Sequence, residues 1–314
     1  MTEPVMITAT HPPRRATVWR RFCAHPGAVA GAVVFGLISL AVLLGPLIWS
    51  LDAAQIDIAA KNQRPNLAHP LGTDQLGRDL LAALLAGGRI SLLVGLVAMV
   101  LALCLGTLVG VVAGVFRSWD GPLMRLTDLF LSLPLLPLLL VAIMLWRDSL
   151  RAQFGPEFGI FLLIVCVIGL TSWMQTARIV RGEVLALRER EFVMAATALG
   201  ARPFAMIGRH ILPNVLSPIM VSATLGIGHA IITESALSFL GLGFPSDVPT
   251  WGRLLFDGTN YMTLTPARVI WPGLAISLTV LSVNYMGDGL RDALDPRKSH
   301  GGRTRLKRTR QVGS

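Results

Sequence analysis

Charged residues, lysines and cysteines are all scarce in this 314-residue sequence, and each shortage excludes a class of function. Charged residues make up 15% of the chain, whereas soluble globular proteins carry roughly 25%. The only lysines are Lys61, Lys298 and Lys307, and none of them follows a glycine. The Gly-x-x-x-x-Gly-Lys-Ser/Thr loop that cradles nucleotide phosphates is therefore absent, which excludes a P-loop ATPase.

The three cysteines give no sign of disulfides or metal ligands. Cys23 lies in a basic N-terminal arm, and Cys104 and Cys166 lie in apolar segments, so we expect small buried residues rather than a disulfide framework. Histidines, cysteines and acids show no metal-ligand spacing, and no Gly-x-Ser-x-Gly turn is present. We therefore expect no metal, no catalytic residue and no cofactor in this chain.

Long apolar runs are what the sequence has instead. Hydrophobic residues make up 53% of the chain and the mean hydropathy is +0.62. A membrane-spanning helix needs about 20 mostly apolar residues. Six segments meet or approach that length, at 28–51, 90–116, 123–146, 158–173, 215–232 and 269–286. We therefore expect an all-α, polytopic membrane protein with about six transmembrane helices in the lipid bilayer.

The net charge of +10 is distributed in a way that indicates membrane topology. Most of the 28 lysines and arginines lie in an N-terminal arm (1–27), a C-terminal tail (291–314) and a loop at about 178–213 within the transmembrane domain (28–290). With six spans these regions share one side of the membrane, and the positive-inside rule makes that side, with both termini, cytoplasmic. The charge is thus explained without a nucleic-acid partner. The parts of the arm and tail beyond the spans carry no apolar pattern, so we expect them to be mobile.

The basic loop contains a short amphipathic helix. Phe192, Ala195, Ala196 and Leu199 follow one another at i, i+3, i+4 and i+7, which places them on one helix face. Gly200 follows, as expected of a residue that ends a helix in the left-handed conformation. Such a helix could lie on the membrane surface or contact another protein.

A second helix is expected directly after the glycine. Pro203 suits its first turn, because the missing N–H of a proline would have no partner there. Leu212 and Pro213 should end this helix where the fifth span begins. The predicted order is helix, glycine turn, helix.

Small and polar residues mark particular faces of the spans. Gly106, Gly110 and Gly114 recur every four residues, which favours close helix packing, within this chain or with another. Glu234 is an acid inside an apolar segment, where it serves a functional path, caps a helix end or pairs with an arginine. The polar residues that could line a water-filled path, or bond between helices, are Ser222, His229, Glu234, Ser277 and Asn284.

The loop at 191–213 resembles the cytoplasmic EAA loop of ABC-importer permeases, where a double alanine precedes a glycine. Blocks in the same order resemble the dipeptide/oligopeptide/nickel permease group: HPLGTDQLGRD (69–79), GRISLLVG (88–95), MRLTD (124–128), ESALSFLGLG (234–243), PTWGR (249–253) and GDGLRDALDP (287–296). They span most of the chain from about residue 20 to 298. The loop departs from the family at Met194, which is usually glutamate, and at His210, which is often isoleucine.

This resemblance implies a type I ABC-importer permease fold in the bacterial inner membrane. The loop would form a coupling helix that docks on an ATPase subunit. The docking residues would be Glu191, Ala195, Ala196, Gly200, His210, Leu212 and Pro213. The implied partners are a sister permease, two ATP-binding cassette subunits that carry ATP and magnesium, and an external substrate-binding protein.

The expected function is therefore transport, by a subunit that is not itself an enzyme, with di- or oligopeptides as the ligands. Nickel or another small solute is the alternative within the family. A channel or secondary carrier would need no docking loop. An intramembrane enzyme with Glu234 and His229 as acid–base groups would be active without ATP, but the sequence offers no nucleophile for it.

Overall fold

The computed structural model describes residues 14–245 and 247–294, and this part of the chain is built from α-helices and their connecting loops. The helices are α1 (Arg14–Cys23), α2 (Pro26–Ile48), α3 (Leu80–Val115), α4 (Arg117–Ser132), α5 (Leu135–Phe154), α6 (Pro156–Arg188), α7 (Glu191–Ala198), α8 (Pro203–Met206), α9 (Leu212–Phe239), α10 (Trp251–Thr259) and α11 (Ala267–Leu294). A 3₁₀ turn lies at Ile58–Ala60 and a π-helical turn at Ile207–Ile211.

The all-α, polytopic architecture expected from the sequence is confirmed. Five helical runs in the described residues are long and apolar enough to cross a membrane, and α4 with α5 makes a sixth if that bent pair is one span. Large apolar side chains such as Leu37, Leu47 and Met144 are exposed on the outside of the bundle. In lipid such a surface is favourable, and helices satisfy their backbone hydrogen bonds internally.

The third predicted crossing, 123–146, is not one straight helix. The chain bends by 90° between α4 and α5. Leu133, at the break, is extended with φ −76° and ψ 137°. The cause is Pro134, since a proline removes a backbone donor and disfavours the helical conformation of the residue before it. Residues 117–122 include the sequence Asp-Gly-Pro, which is typical of a turn, but they form the first turns of α4.

The structure also describes part of each chain end and the three cysteines. Residues 14–23 of the N-terminal arm form α1, α2 begins at Pro26, and α11 runs on to Leu294; residues 1–13 of the arm and 295–314 of the tail lie outside the described residues. Cys23 and Cys104 are exposed and Cys166 is half-buried, so the expectation of small buried cysteines is wrong. A thiol is weakly polar and behaves as a small apolar group, so it is also tolerated on a surface that faces lipid.

The glycine run of α3 packs within this chain, against α6. A side chain at Gly106 would begin 2.6 Å from the carbonyl oxygen of Trp173, and one at Gly110 would begin 2.6 Å from that of Ala177. Such distances are too short for any carbon atom, so only glycine allows the two backbones to lie this close. The sequence left open whether this face packs within the chain or against another chain. The structure shows that it packs against α6 of the same chain.

A charged side chain joins α2 to α3 at the surface of the bundle. Pro46 lies inside α2, and its missing N–H leaves the carbonyl of Val42, four residues earlier, without its helical partner. Arg89 of α3 donates from Nε to the Val42 oxygen at 3.0 Å and from Nη2 to the Leu43 oxygen at 2.6 Å. The guanidinium therefore replaces the hydrogen bond that the proline removes.

This contact predicts a coupling between Arg89 and Pro46. Arg89→Leu should lower the stability of the purified chain by about 1–3 kcal/mol, because the Val42 carbonyl loses its donor in an apolar surrounding. In a Pro46→Ala background α2 recovers its own N–H donor, so the same change should cost less. Thermal unfolding in mild detergent measures both losses, and equal losses in the two backgrounds would contradict this explanation.

Candidate functional site

The segment between α6 and α9 folds as helix, glycine turn, helix, as its sequence predicts. Gly200 has a φ of +81°. The N–H of Ala201 donates to the Ala196 oxygen and that of Gly200 to the Thr197 oxygen, both at 3.0 Å. These two bonds form a Schellman motif, which satisfies the last carbonyls of α7. Pro203 then opens α8 in its first turn.

Large apolar side chains of the segment from α7 to α8 are exposed. Phe192 is 45% exposed, Met194 52%, Leu199 89% and Phe204 80%. We call these four residues the α7–α8 surface. They lie in one basic segment beyond the apolar part of α6, and exposed large apolar residues there indicate a contact site for another protein or a membrane.

Side chains of α7 also connect it to α8 and to the π-helical turn. Val193 is buried, and the Thr197 hydroxyl donates to the Val193 oxygen and contacts Sδ of Met206 at 3.7 Å. The ring of Phe192 lies 6.2 Å from that of His210. Among the residues that sequence analysis assigned to docking, Glu191 and Ala195 are exposed and Ala196 is half-buried.

The expected helix end at Leu212 and Pro213 is wrong, because the chain remains helical from Pro203 to Phe239. A π-helical turn carries it past the proline, with the Leu212 N–H bonded to the Ile207 oxygen. The wider turn makes room for the Pro213 ring, which in a regular helix would clash with a carbonyl one turn earlier. The side-chain amide of Asn214 donates to the His210 oxygen at 2.7 Å and so satisfies a carbonyl of the turn.

Arginines of α6 fix the same end of the bundle, a role that sequence reasoning missed. Arg188 donates to the Gly114 oxygen at 2.9 Å, which satisfies a carbonyl at the end of α3. Arg181 pairs with Asp120 of α4, and Arg178 pairs with Asp128. The partners lie 50 or more residues apart in sequence, so helix periodicity alone gives no signal for them.

At the other end of the bundle, Glu234 is completely buried among hydroxyl groups. It accepts hydrogen bonds from Ser238 at 2.7 Å and Ser91 at 3.1 Å, with Ser235 at 3.5 Å. The Ser91 hydroxyl in turn accepts the backbone N–H of Trp251, the first residue of α10, at 3.2 Å. We call Glu234, Ser91, Ser235 and Ser238 the Glu234 cluster. The carboxyl thus supports a neighbouring helix start, one of the roles expected for it.

Close packing of α10 against α3 and α9 completes this connection. The Trp251 ring is buried and donates from Nε1 to the Leu84 oxygen at 2.9 Å. Gly88 leaves room for that ring, since a side chain there would begin 2.7 Å from it. Gly252 approaches the Ser235 backbone equally closely. The Glu234 cluster and Trp251 therefore join α3, α9 and α10.

The other polar residues expected along a path do not gather around Glu234. His229 and Ser277 are exposed, and Ser222 and Asn284 are half-buried. Asn284 faces Gly228, where a side chain would begin 3.4 Å from its Oδ1. Glu234 lies five positions after His229, which is about 140° around a helix, so the two side chains leave α9 on different faces.

A cavity of about 50 Å³ lies beside α10, between the loop that follows α2 and the start of α11. Arg268, which is buried, donates to the side chain of Asn62 at 2.6 Å and to the Thr73 oxygen at 2.9 Å, tying that loop to α11. Arg253 pairs with Asp257 one turn later at 3.0 Å. Burial raises the pKa of the Asp257 carboxyl, and the adjacent Arg253 opposes that shift.

Within the described ranges, no group of three histidine, cysteine or acidic side chains could hold a metal ion.

These features together define a class, a multi-pass helical membrane protein with an apolar surface exposed beyond its spans. Comparison with known families is consistent with that class. Residues 102–300 match the family described as the inner membrane component of binding-protein-dependent transport systems, and residues 14–65 match the N-terminal transmembrane domain of oligopeptide transport permease C. The chain belongs to this family of transport permeases.

Two similar proteins illustrate the family. The dipeptide transport system permease protein DppC of Alkalihalophilus pseudofirmus is 38% identical over 291 residues, which covers 92% of this chain and 91% of the relative. The oligopeptide transport system permease protein OppC of Bacillus subtilis is 36% identical over 280 residues, 88% of each. Both comparisons extend through the segment between α6 and α9 and through the Glu234 cluster.

The Glu234 cluster predicts a local effect on α10. Glu234→Ala removes the acceptor of the three serine hydroxyls of the cluster, at a cost of about 1–3 kcal/mol, and should loosen α10 from α3. Glu234→Gln keeps an acceptor oxygen and should have a smaller effect. Hydrogen exchange of the α10 amides measures the change, with Glu183→Ala, an exposed acid of α6, as the matched control. If the α10 amides of Glu234→Ala exchange as slowly as those of the unsubstituted protein, the Glu234 cluster does not hold α10 in place.

Proposed function

We propose that this chain is a permease subunit of an ATP-driven importer, and that the α7–α8 surface docks on an ATP-binding cassette subunit. The observation that carries the proposal is the exposure of Phe192, Met194, Leu199 and Phe204 beyond the spans, in a family of binding-protein-dependent transport components. The complete transporter would contain a sister permease, two ATP-binding cassette subunits that bind ATP and magnesium, and an external substrate-binding protein. Both termini would be cytoplasmic.

The continuity of α8 and α9 supports a mechanical role for this surface. The helical run from Pro203 to Phe239 has 37 residues, a length of about 55 Å. Its first turn contains Phe204 of the α7–α8 surface, and it reaches the Glu234 cluster at the opposite end. A displacement of the docked segment by ATP binding would therefore move both ends of the span together. Such rigid-body motion would alternate access to the path between the two sides.

The transported ligand is proposed from the relatives. Their names specify dipeptide and oligopeptide transport, so we propose di- or oligopeptides, with nickel or another small solute as the alternative. Ser222, His229, Ser277 and Asn284 would line the path with the sister permease. Glu234 would hold α10 in place at its mouth.

Co-purification of the tagged chain from its native membrane in mild detergent tests the assembly. A second permease and one or two ATP-binding cassette proteins should accompany it, with ATPase activity in the purified material. Competition between dipeptides and nickel in an uptake assay then separates the two ligand classes. A chain that purifies alone and transports without ATP would favour a secondary carrier, and chemical turnover by the isolated chain would favour an intramembrane enzyme.

The docking role predicts that Gly200→Glu abolishes uptake while the protein still inserts in the membrane. A side chain at Gly200 meets no atom within 4 Å and would project into open space, so its charge would be placed on the α7–α8 surface. The left-handed backbone adds strain of about 1–2 kcal/mol. Uptake, membrane content and peptide-stimulated ATPase activity are measured together.

Gly241→Glu is the matched control for this change. Gly241 has a φ of +78° and open space around it. It ends α9 in the same type of motif, since its N–H bonds to the Ser238 oxygen and that of Leu242 bonds to the Leu237 oxygen. Because the backbone conformation is the same, the strain that a glutamate adds should be equal at the two glycines. Gly241 lies at the opposite end of the bundle, so only Gly200→Glu places the charge on the α7–α8 surface. Uptake and ATPase coupling that survive in Gly200→Glu would show that this segment is not the docking element.

A further inference from the structure

The helix α1 has one face against the bundle and another face that is exposed. Phe22 is half-buried and lies against the end of α11, where a side chain at Gly289 would begin 3.5 Å from the phenyl ring. Trp19 is 69% exposed, and Arg20 and Cys23 are exposed beside it. The indole stacks on the Phe22 ring, with 6.0 Å between centroids and 16° between planes. Contact with the bundle thus fixes the orientation of the outer face.

The position of α1 along the chain places it at the edge of the membrane. Only Ala24 and His25 separate it from α2, which is the first candidate span. His25 begins that span by accepting the Ala28 N–H at 3.1 Å. An exposed helix directly before a span lies at the depth of the lipid headgroups, because the apolar part of the next helix must start in the hydrocarbon.

The chemistry of α1 suits a negatively charged membrane surface. Its sequence, RRATVWRRFC, holds four arginines and no acidic residue. An exposed tryptophan is typical of the headgroup region, where its ring is apolar and its N–H is polar. Basic residues near the surface are attracted to anionic lipids, and helices with both features bind in the plane of the interface.

We propose that the outer face of α1, formed by Trp19, Arg20 and Cys23, binds the headgroups of anionic phospholipids. This contact is separate from docking of the α7–α8 surface and from the transported ligand. It would hold the N-terminal helix and the end of α11 at the membrane surface.

Cys23 provides a site to measure this contact directly. In a Cys104→Ala/Cys166→Ala background, an NBD fluorophore on Cys23 reports on the lipid around α1 in the complex as purified, placed in nanodiscs. The discs contain phosphatidylcholine and a rising fraction of brominated phosphatidylglycerol. We expect quenching at a low fraction of the anionic lipid, weaker quenching by equally brominated phosphatidylcholine, and a loss of this preference in 0.5 M salt, because salt screens exposed charges.

A single charge change then tests the role of Arg20. Arg20→Gln should raise the phosphatidylglycerol fraction at half-maximal quenching by about fivefold, which corresponds to about 1 kcal/mol per basic residue. Arg64→Gln, an exposed arginine in the loop after α2, removes the same charge at the other end of the bundle and should change nothing.

Two outcomes would overturn the proposal. Equal quenching by the two lipids, with no change in Arg20→Gln, would mean that α1 contacts lipid without selecting its charge. An absence of quenching by either lipid would mean that a protein subunit covers this face of α1.

Discussion

Close packing of α3 against α6 is the contact on which the other features of this bundle depend. Gly106, Gly110 and Gly114 let the two backbones approach to a distance at which a single added carbon would overlap a carbonyl oxygen or a valine side chain. Lipid gives apolar helices little reason to associate, so backbone proximity and the dispersion contacts that it allows must supply the attraction. The glycine face of α3 therefore determines that α3 packs against α6.

The same helix also joins the two ends of the molecule. Towards its end, α3 receives the hydrogen bond from Arg188, close to the segment that carries the α7–α8 surface. Towards its start, Ser91 belongs to the Glu234 cluster and Gly88 leaves room for Trp251. Between them, Gly95 allows Ile231 of α9 to approach. Because both candidate functional regions are attached to α3 and α9, a change at one end has two rigid helices through which to reach the other.

Features of the fold that depend on adjacent residues could be predicted from the sequence. Contacts between residues far apart in the sequence could not. The Gly200 turn and the proline at the start of α8 depend on a few adjacent residues, and both were predicted. Pro134 likewise marks the bend between α4 and α5, but the apolar run at 123–146 crosses this position and led to the prediction of one straight span. Ser91 and Glu234 are 143 residues apart, and nothing in either neighbourhood indicates the other. The helix that the glycine face of α3 contacts could likewise not be predicted without knowing the position of α6.

The polar residues of the spans fall into two groups that differ in how their hydrogen bonds are satisfied. Glu234 and Arg89 find partners within this chain, on α3 and α2 respectively. His229 and Ser277 instead lie exposed on α9 and α11. Polar side chains are costly in contact with hydrocarbon, so that part of the surface must meet water or a second polypeptide. The first group explains how the subunit holds its shape, and the second supports the proposal that a sister permease and a water-filled path contact α9 and α11.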